Sequence, residues 1–357
     1  MAYICASNNN TVMRLTILLI LSLSFFCGCA QNRQGKAACI GFYNLENLYD
    51  TFDDPTIDDE EFLPGGKKSY DLEKYNDKLD HLAEVISKMG KEVTPDGLAI
   101  LGVAEIENKK VLEDLTARPA LADKKWGIVH YNSPDVRGVD VALIYQVKYF
   151  NPIFSKPIRM NQKDSKGKER KTRDILYVKG LLDGDTLHIL VNHWPSRRGG
   201  AAATEPYRKD CARICREVSD SLSSVNPQAK VIIMGDLNDD PNSPSLRDVL
   251  MAKEKKEEVK PGQLYNPMYK FFKAGIGTLA YDDSWNLFDN IVVSYGVIND
   301  KSAGYRYYKA RVFNEPFMQE KSGAYKNYPK RTYVGETYNA GYSDHFPVYL
   351  TLVKELQ

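Results

Sequence analysis

Apolar runs of strand length and helix length follow one another along this chain, and most of them stop abruptly at a polar cluster. "CIGFYNL" (39–45) has the length and flanks of a buried strand. Leu72 to Met89 instead carries Leu79, Leu82 and Ile86 on one helical face. "GLAILGVAEIE" (97–107) reads as a strand running into acids, and "GVDVALIY" (138–145) as another. "DILYVKGLL" (174–182) and "TLHILVNHW" (186–194) form an adjacent pair around the turn "DGD". Pro206 to Leu222 is helical in pattern. "AKVIIMGDLND" (229–239) sets consecutive apolar residues between turn signals, and "NLFDNIVVS" and "HFPVYLTLV" complete the set.

Strands alternate with helices, but hairpins interrupt the alternation. That order predicts a mixed α/β sandwich rather than a doubly wound parallel sheet. The chain shows no repeat and no Pro-, Gly- or Ser-rich linker, so residues 37–357 read as one domain. Two polar insertions stand out, Asp53–Ser69 and Asn161–Arg173. The second carries six bases against two acids and reads as a solvated loop.

The N-terminus has a different logic. Arg14 precedes an apolar run from Leu15 to Phe26, too short for a comfortable membrane span and suited to an export signal. Met13 is a plausible start of that signal. Phe26-Cys27-Gly28-Cys29 resembles a bacterial lipobox, with Phe26 where Leu is usual. Residues 1–28 are therefore expected to be a lipoprotein-type signal peptide, Cys29 the lipidated residue and 29–36 a linker. The protein is expected to be exported and anchored to a bacterial membrane in the cell envelope.

Charge excludes one class of partner recognition. Lys plus Arg (48) nearly equals Asp plus Glu (47), so no bulk positive field grips nucleic acid; a local basic surface would have to do so. Of six cysteines, Cys29, Cys39, Cys211 and Cys215 remain beyond the signal. With Cys29 lipidated, an odd number is left, which is no disulfide framework. Cys211 and Cys215 share a helix face and read as buried small side chains rather than metal ligands.

The chemistry gathers at the strand ends. "FYNLEN" offers Asn44 and Glu46, "VAEIEN" Glu105 and Glu107, and "VNHWPS" His193. "GDLND" offers Asp236 and Asn238, "LFDNIVV" Asp289, and "SDHFPV" Asp344 and His345. In open α/β architectures such residues meet in the crevice at the strand ends. Acids and amides suit a hard cation that keeps water and phosphate oxygens as its other ligands. Zinc spacings such as HExxH and paired CxxC are absent, so the histidines suit proton handling or stabilisation of negative charge. Alone, an Asp after a strand is usually a turn or cap residue, and the force lies in the ordered set.

That set resembles the endonuclease–exonuclease–phosphatase superfamily, to which the pancreatic deoxyribonuclease belongs. The resemblance rests on "GDLND", "FDNIVV" and "SDHFPVYLTL" and covers Ile40 to Val353. "NLENLYD", "RGVDVALIY", "NHWPSRRGG" and "GYSDHFPV" are similar to a secreted bacterial branch. The resemblance implies a four-layer α/β sandwich: two packed mixed β-sheets flanked by helices. It implies Mg²⁺ or Mn²⁺, with Ca²⁺ as a further option outside the cell, and hydrolysis of a phosphate ester. By motif, Glu105, Asn44 and Asp344 hold the metal. Asp236 orients or deprotonates the attacking water, and Asn238 holds the scissile phosphate. His345 donates to a phosphate oxygen with Asp289 behind it, and His193 lies near the leaving oxygen. Asp140 is the candidate acid behind His193. Arg137 and Arg173 are candidate phosphate contacts.

Three functions stay open: a nuclease, a phosphatase or phosphodiesterase for sugar, inositol or sphingolipid phosphates, and a non-catalytic binding lipoprotein. Nuclease is the expectation, with nucleic acid and the membrane as partners and no protein partner. "AGYRYYKARVF" and "YKNYPKRTY" interleave aromatics with bases and could stack on single strands, although Tyr also simply fills half-buried surface.

Overall fold

The computed structural model describes residues 35–164, 166–281, 283–301 and 303–355, and residues 36–354 form one compact unit. The expected signal peptide and Cys29 lie outside the described residues. In chain order the strands are β1 Gly35–Leu48, β2 Leu98–Ile106, β3 Trp126–His130, β4 Asp140–Gln146, β5 Phe150–Ile158, β6 Ile175–Leu182, β7 Asp185–His193 and β8 Val231–Asp236. There follow β9 Ala252–Lys253, β10 Leu264–Tyr265, β11 Leu279–Tyr281, β12 Ser284–Asn286, β13 Asp289–Ser294, β14 Arg306–Val312, β15 Tyr333–Val334, β16 Thr337–Tyr338 and β17 Val348–Glu355. The main helices are α1 Leu72–Lys88, α2 Lys109–Thr116 and α3 Ala201–Val225.

Two mixed sheets carry the fold. The first has the order β14-β17-β1-β2-β4-β3 and the second β5-β6-β7-β8-β13-β10-β9. β1–β2 and β7–β8 pair in parallel, whereas β2–β4, β6–β7 and β8–β13 are antiparallel. Side chains sort by period two, as pleated strands require. In the second sheet Ile189, Val191, Ile232, Met234, Ile291 and Val293 face the central core. Their neighbours Leu190, Val231, Ile233 and Val292 pack on the other face with Cys211 and Cys215 of α3. On the first sheet's outer side α2 packs against β2 and β3, with α1 beside it. The result is the four-layer sandwich implied by the motifs. Cys211 and Cys215 are free and buried, as expected of small core side chains.

Helix ends follow local chemistry. Asp71 caps α1 by accepting from Lys74 N, and Asn108 caps α2 by accepting from Val111 N. α3 begins at Ala201, earlier than the Pro206 start expected, because the alanines ahead of the proline continue the helix.

Gly235 explains the glycine of "GDLND". A Cβ there would stand 2.2 Å from the Asn192 carbonyl oxygen, across the β7–β8 pair. Only glycine allows these strands to approach in this register. The expected outcome for Gly235→Ala is a loss of about 1–3 kcal/mol in denaturant unfolding, with turnover falling by more than the folded fraction does. An unchanged unfolding midpoint and rate would show that the close approach is not required.

Candidate active site

The strand ends converge as their registers dictate. In the second sheet His193 is the parallel partner of Asp236, and Asp289 is its antiparallel partner, so the three stand abreast. In the first sheet Asn44 of β1 lies opposite Ala104, one residue before Glu105. Both β1 and β2 lose regular register at these residues, a shift seen between Asn44 and Leu48 and between Ala104 and Ile106. Glu46, Asn47, Glu105 and Asn238 all adopt left-handed backbone, with φ of 48°, 51°, 59° and 50°. Non-glycine residues in that region cost of order 1 kcal/mol each and cluster where a site re-aims its side chains.

The side chains form an arc of alternating acid and imidazole. Glu105 Oε1 lies 3.6 Å from His193 Nε2, which lies 3.7 Å from Asp236 Oδ2. The same Asp236 oxygen is 3.9 Å from His345 Nε2, which is 4.0 Å from Asp344 Oδ1. Asn44 Nδ2 donates to Asp236 Oδ2 at 3.2 Å, and Asn238 N donates to Asp236 Oδ1 at 2.9 Å. His345 Nδ1 bonds Asp289 Oδ2 at 2.7 Å, leaving Nε2 toward the arc. Asn238 Nδ2 donates to the Trp194 carbonyl, which fixes the amide plane beside Asp236.

The surroundings push the two imidazoles in opposite directions. Burial disfavours a charged His345, but the carboxylates of Asp289, Asp236 and Asp344 outweigh it and hold its pKa well above the usual range. His193 is held well below, by burial and then by Arg173, Arg137 and His345, so its ring is neutral. Burial, reinforced by Asp289 and Glu105 against His345, pushes the Asp236 carboxyl up to about 7. Glu46 is likewise pushed up to about 7, by burial and then by Asp344, against Lys78.

Two assignments made from sequence require correction. Asp140 does not stand behind His193. Its Oδ2 pairs with His130 Nε2 at 2.9 Å and its Oδ1 accepts from Ser133 N, an arrangement internal to the β3–β4 end. His193 Nδ1 is buried without a hydrogen-bond partner among the described residues. Arg173 is buried and faces inward: Nε and Nη2 donate to the His193 and Trp194 carbonyls and Nη1 to Asp135. It braces the end of β7 rather than presenting donors to a phosphate. Arg137 remains open, with its side chain 40% exposed and Nη2 4.0 Å from Glu105 Oε1.

Three further residues belong to the site's framework. Asp135 holds Arg173 and also lies 3.7 Å from Arg137 Nε. Lys78 is fully buried and donates to the Glu46 carbonyl and to Thr332 Oγ1. A lysine on the Tyr75–Leu79–Leu82 face of a helix was the available signal. Glu107 accepts from Asp50 N, and burial, with Asp50 and Asp59 adding to it, pushes its carboxyl up to about 7.

The family model of the endonuclease/exonuclease/phosphatase family matches residues 39–354. The chain belongs to this family. Solved structures share its fold. One family protein from Bacteroides thetaiotaomicron has 16% identity and a TM-score of 0.52, covering 91% of this chain and all of the other. TDP2 of D. rerio, complexed with single-strand DNA product, has 13% identity and a TM-score of 0.52, covering 89% and 99%. A mannosyl-6-phosphatase from B. thetaiotaomicron has 16% identity and a TM-score of 0.50, covering 88% and 99%. No curated protein matches the sequence.

This family typically uses divalent metals. No three His, Cys, Asp or Glu side chains among the described residues group closely enough to hold an ion unaided. Magnesium, however, commonly takes one or two carboxylates and completes its shell with water and phosphate oxygens. The donor types suit that demand: Glu105 and Asp344 supply carboxylate oxygens and Asn44 an amide oxygen that also accepts from Glu46 N, and burial, with neighbouring acids adding to it, raises Glu46 and Asp236. A divalent cation would relieve that repulsion.

Proposed function

We propose that this protein is a divalent-metal-dependent phosphodiester hydrolase of nuclease type. One observation carries the reading: a single buried carboxylate oxygen, Asp236 Oδ2, lies 3.7 Å from His193 Nε2 and 3.9 Å from His345 Nε2 at the end of one sheet. Glu105, Asp344 and Asn44 would hold Mg²⁺ or Mn²⁺. Bound there, the ion would offset the charge that builds on the phosphate oxygens.

The chain's own residues divide the remaining work. Asp236, with a raised pKa, takes the proton of the attacking water. His345 donates Nε2–H to a non-bridging oxygen, and Asp289 keeps that ring charged and oriented. Neutral His193 stands where the leaving oxygen develops charge. The Asn238 amide, held by Trp194, positions the phosphate. All the acids that such chemistry needs are present, which argues against a purely binding role.

The surroundings favour a diester in a chain over a small monoester. A cavity of about 950 Å³ opens against Arg137 and Asn47 and is lined also by Lys67, Lys68 and Arg198 and by the acids Asp58, Glu60 and Glu61, with Lys68 paired to Glu61 at 3.3 Å. Arg198 and Lys67 are exposed and supply cations for neighbouring phosphates. The complex of D. rerio TDP2 with a DNA product shows that this fold can accommodate such a strand.

Export and lipidation at Cys29 complete the proposal, supported by the apolar run Leu15–Phe26 and the cysteine that follows it. Replacing Cys29 by Ala should move the protein from the detergent phase to the aqueous phase on Triton X-114 partition. Equal partition of both forms would sink the anchor.

A substrate panel tests the activity. Plasmid DNA, RNA and bis-p-nitrophenyl phosphate should be cleaved with Mg²⁺ or Mn²⁺ and not with EDTA, and Asp236→Ala should lose about 10²–10⁴-fold in kcat. Preference for phosphomonoesters would instead establish a phosphatase.

The protonation assignment has its own signature. Removing the carboxylate that sustains charged His345 lowers the imidazole pKa. In Asp289→Asn the alkaline limb of the pH–rate profile should therefore move to lower pH, by about 1–3 units. An unmoved limb would remove His345 as the charged donor.

A further inference from the structure

A second cavity, of about 350 Å³, opens on Asp344 and shares no lining residue with the one beside Arg137. Its walls are Tyr281, Tyr325 and Tyr328, with Arg331, Asp283 and Glu320. Tyr281 is 71% exposed and Tyr325 57%. Large rings presented to water around a concavity suit an aromatic-stacking partner.

The cavity is tied to the catalytic segment. Tyr328 OH donates to Asp283 Oδ1 at 3.0 Å, and its ring meets Trp285 edge-on at 5.4 Å. Trp285 stacks on Phe346, which follows His345 directly, with an interplanar angle of 18°. Arg331 Nη2 lies 3.2 Å from Asp344 Oδ2. A ligand in the cavity therefore lies next to Asp344 and to the segment that carries His345.

We infer that this cavity is the subsite for the base of a nucleotide adjoining the scissile phosphate. The inference rests on the nuclease reading. Tyrosine faces stack on any base, and Asp283 and Glu320 offer acceptors to exocyclic amino groups. A base also suits the surroundings, with three tyrosines lining this cavity and the exposed cations Lys67 and Arg198 lining the other. A nucleic acid presents both along its length. A lone sugar phosphate presents one phosphate and leaves the Lys67–Arg198 side without a ligand.

The test is a double-mutant cycle between enzyme and substrate. Full-length Tyr281→Ala/Tyr325→Ala and the parent are compared on a single-stranded DNA dodecamer and on a dodecamer of abasic tetrahydrofuran phosphates. Both tyrosines are largely exposed, and an unchanged melting temperature confirms folding. Loss of stacking should raise KM on the dodecamer about tenfold with kcat little changed. The same substitution should change KM on the abasic chain less than twofold. An equal effect on both chains, or no effect on either while DNA is still cleaved, overturns the base subsite and leaves the nuclease reading intact. Failure of the parent to cleave either chain, with tyrosine-dependent hydrolysis of hexose phosphates, overturns both and assigns the cavity to a sugar.

Discussion

The site depends on one lateral row. β7 and β8 end level with the start of β13, and their registers place His193, Asp236 and Asp289 side by side. The β7–β8 pair is parallel and the β8–β13 pair antiparallel, so the row joins the ends of two strands to the beginning of a third. Gly235 permits the close approach of β7 and β8. The row is electrostatically costly, because it buries carboxylates beside one another, and those carboxylates then keep His345 charged where burial alone would neutralise it. Rigid strands are what hold such a group together.

The first sheet completes the site by a different device. Asn44 and Glu105 sit where their strands stop being regular, and three residues there, Glu46, Asn47 and Glu105, take left-handed backbone. An irregular strand end turns a side chain out of the pleat and toward a neighbour. Glu105 thereby reaches His193 of the other sheet. The sheets meet closely there too, since a Cβ on Gly102 would stand 2.6 Å from the Met234 sulfur. Packing between sheets and the spacing of acids are thus one geometric problem.

What was legible in the sequence follows from burial. The central strands announced themselves as apolar runs, and their polar ends as motifs. Among the strands of five or more residues, those not singled out, β3, β5 and β14, all lie at sheet edges, where half-exposed positions dilute the pattern and β5 tolerates Pro152 and Pro157. The arc of Glu105, His193, Asp236, His345 and Asp344 could be gathered from spacing, because each residue closes or leads into an apolar strand. Orientation could not. Whether Arg173 faces a phosphate or two carbonyls, and whether Asp140 serves His193 or His130, depends on local turns that spacing does not encode. Lys78 escaped notice because a buried lysine in a helix resembles a surface one until its partners are known.

Substrate choice belongs to another layer of the structure. Chains with 13–16% identity share this fold, and among them are a DNA-bound protein and a sugar phosphatase. The strand-end chemistry cannot separate such substrates, because every phosphate ester meets the same carboxylates and imidazoles. The discriminating surfaces here are loops. The Asp53–Ser69 insertion supplies Lys67 and Lys68 to one cavity, and residues 320–334 supply tyrosines and Arg331 to the other. Loops of this kind can vary without disturbing the row of strand ends. Conserving the row while varying the loops lets one strand-end framework serve differently shaped esters, because the loops and not the strands line the two cavities.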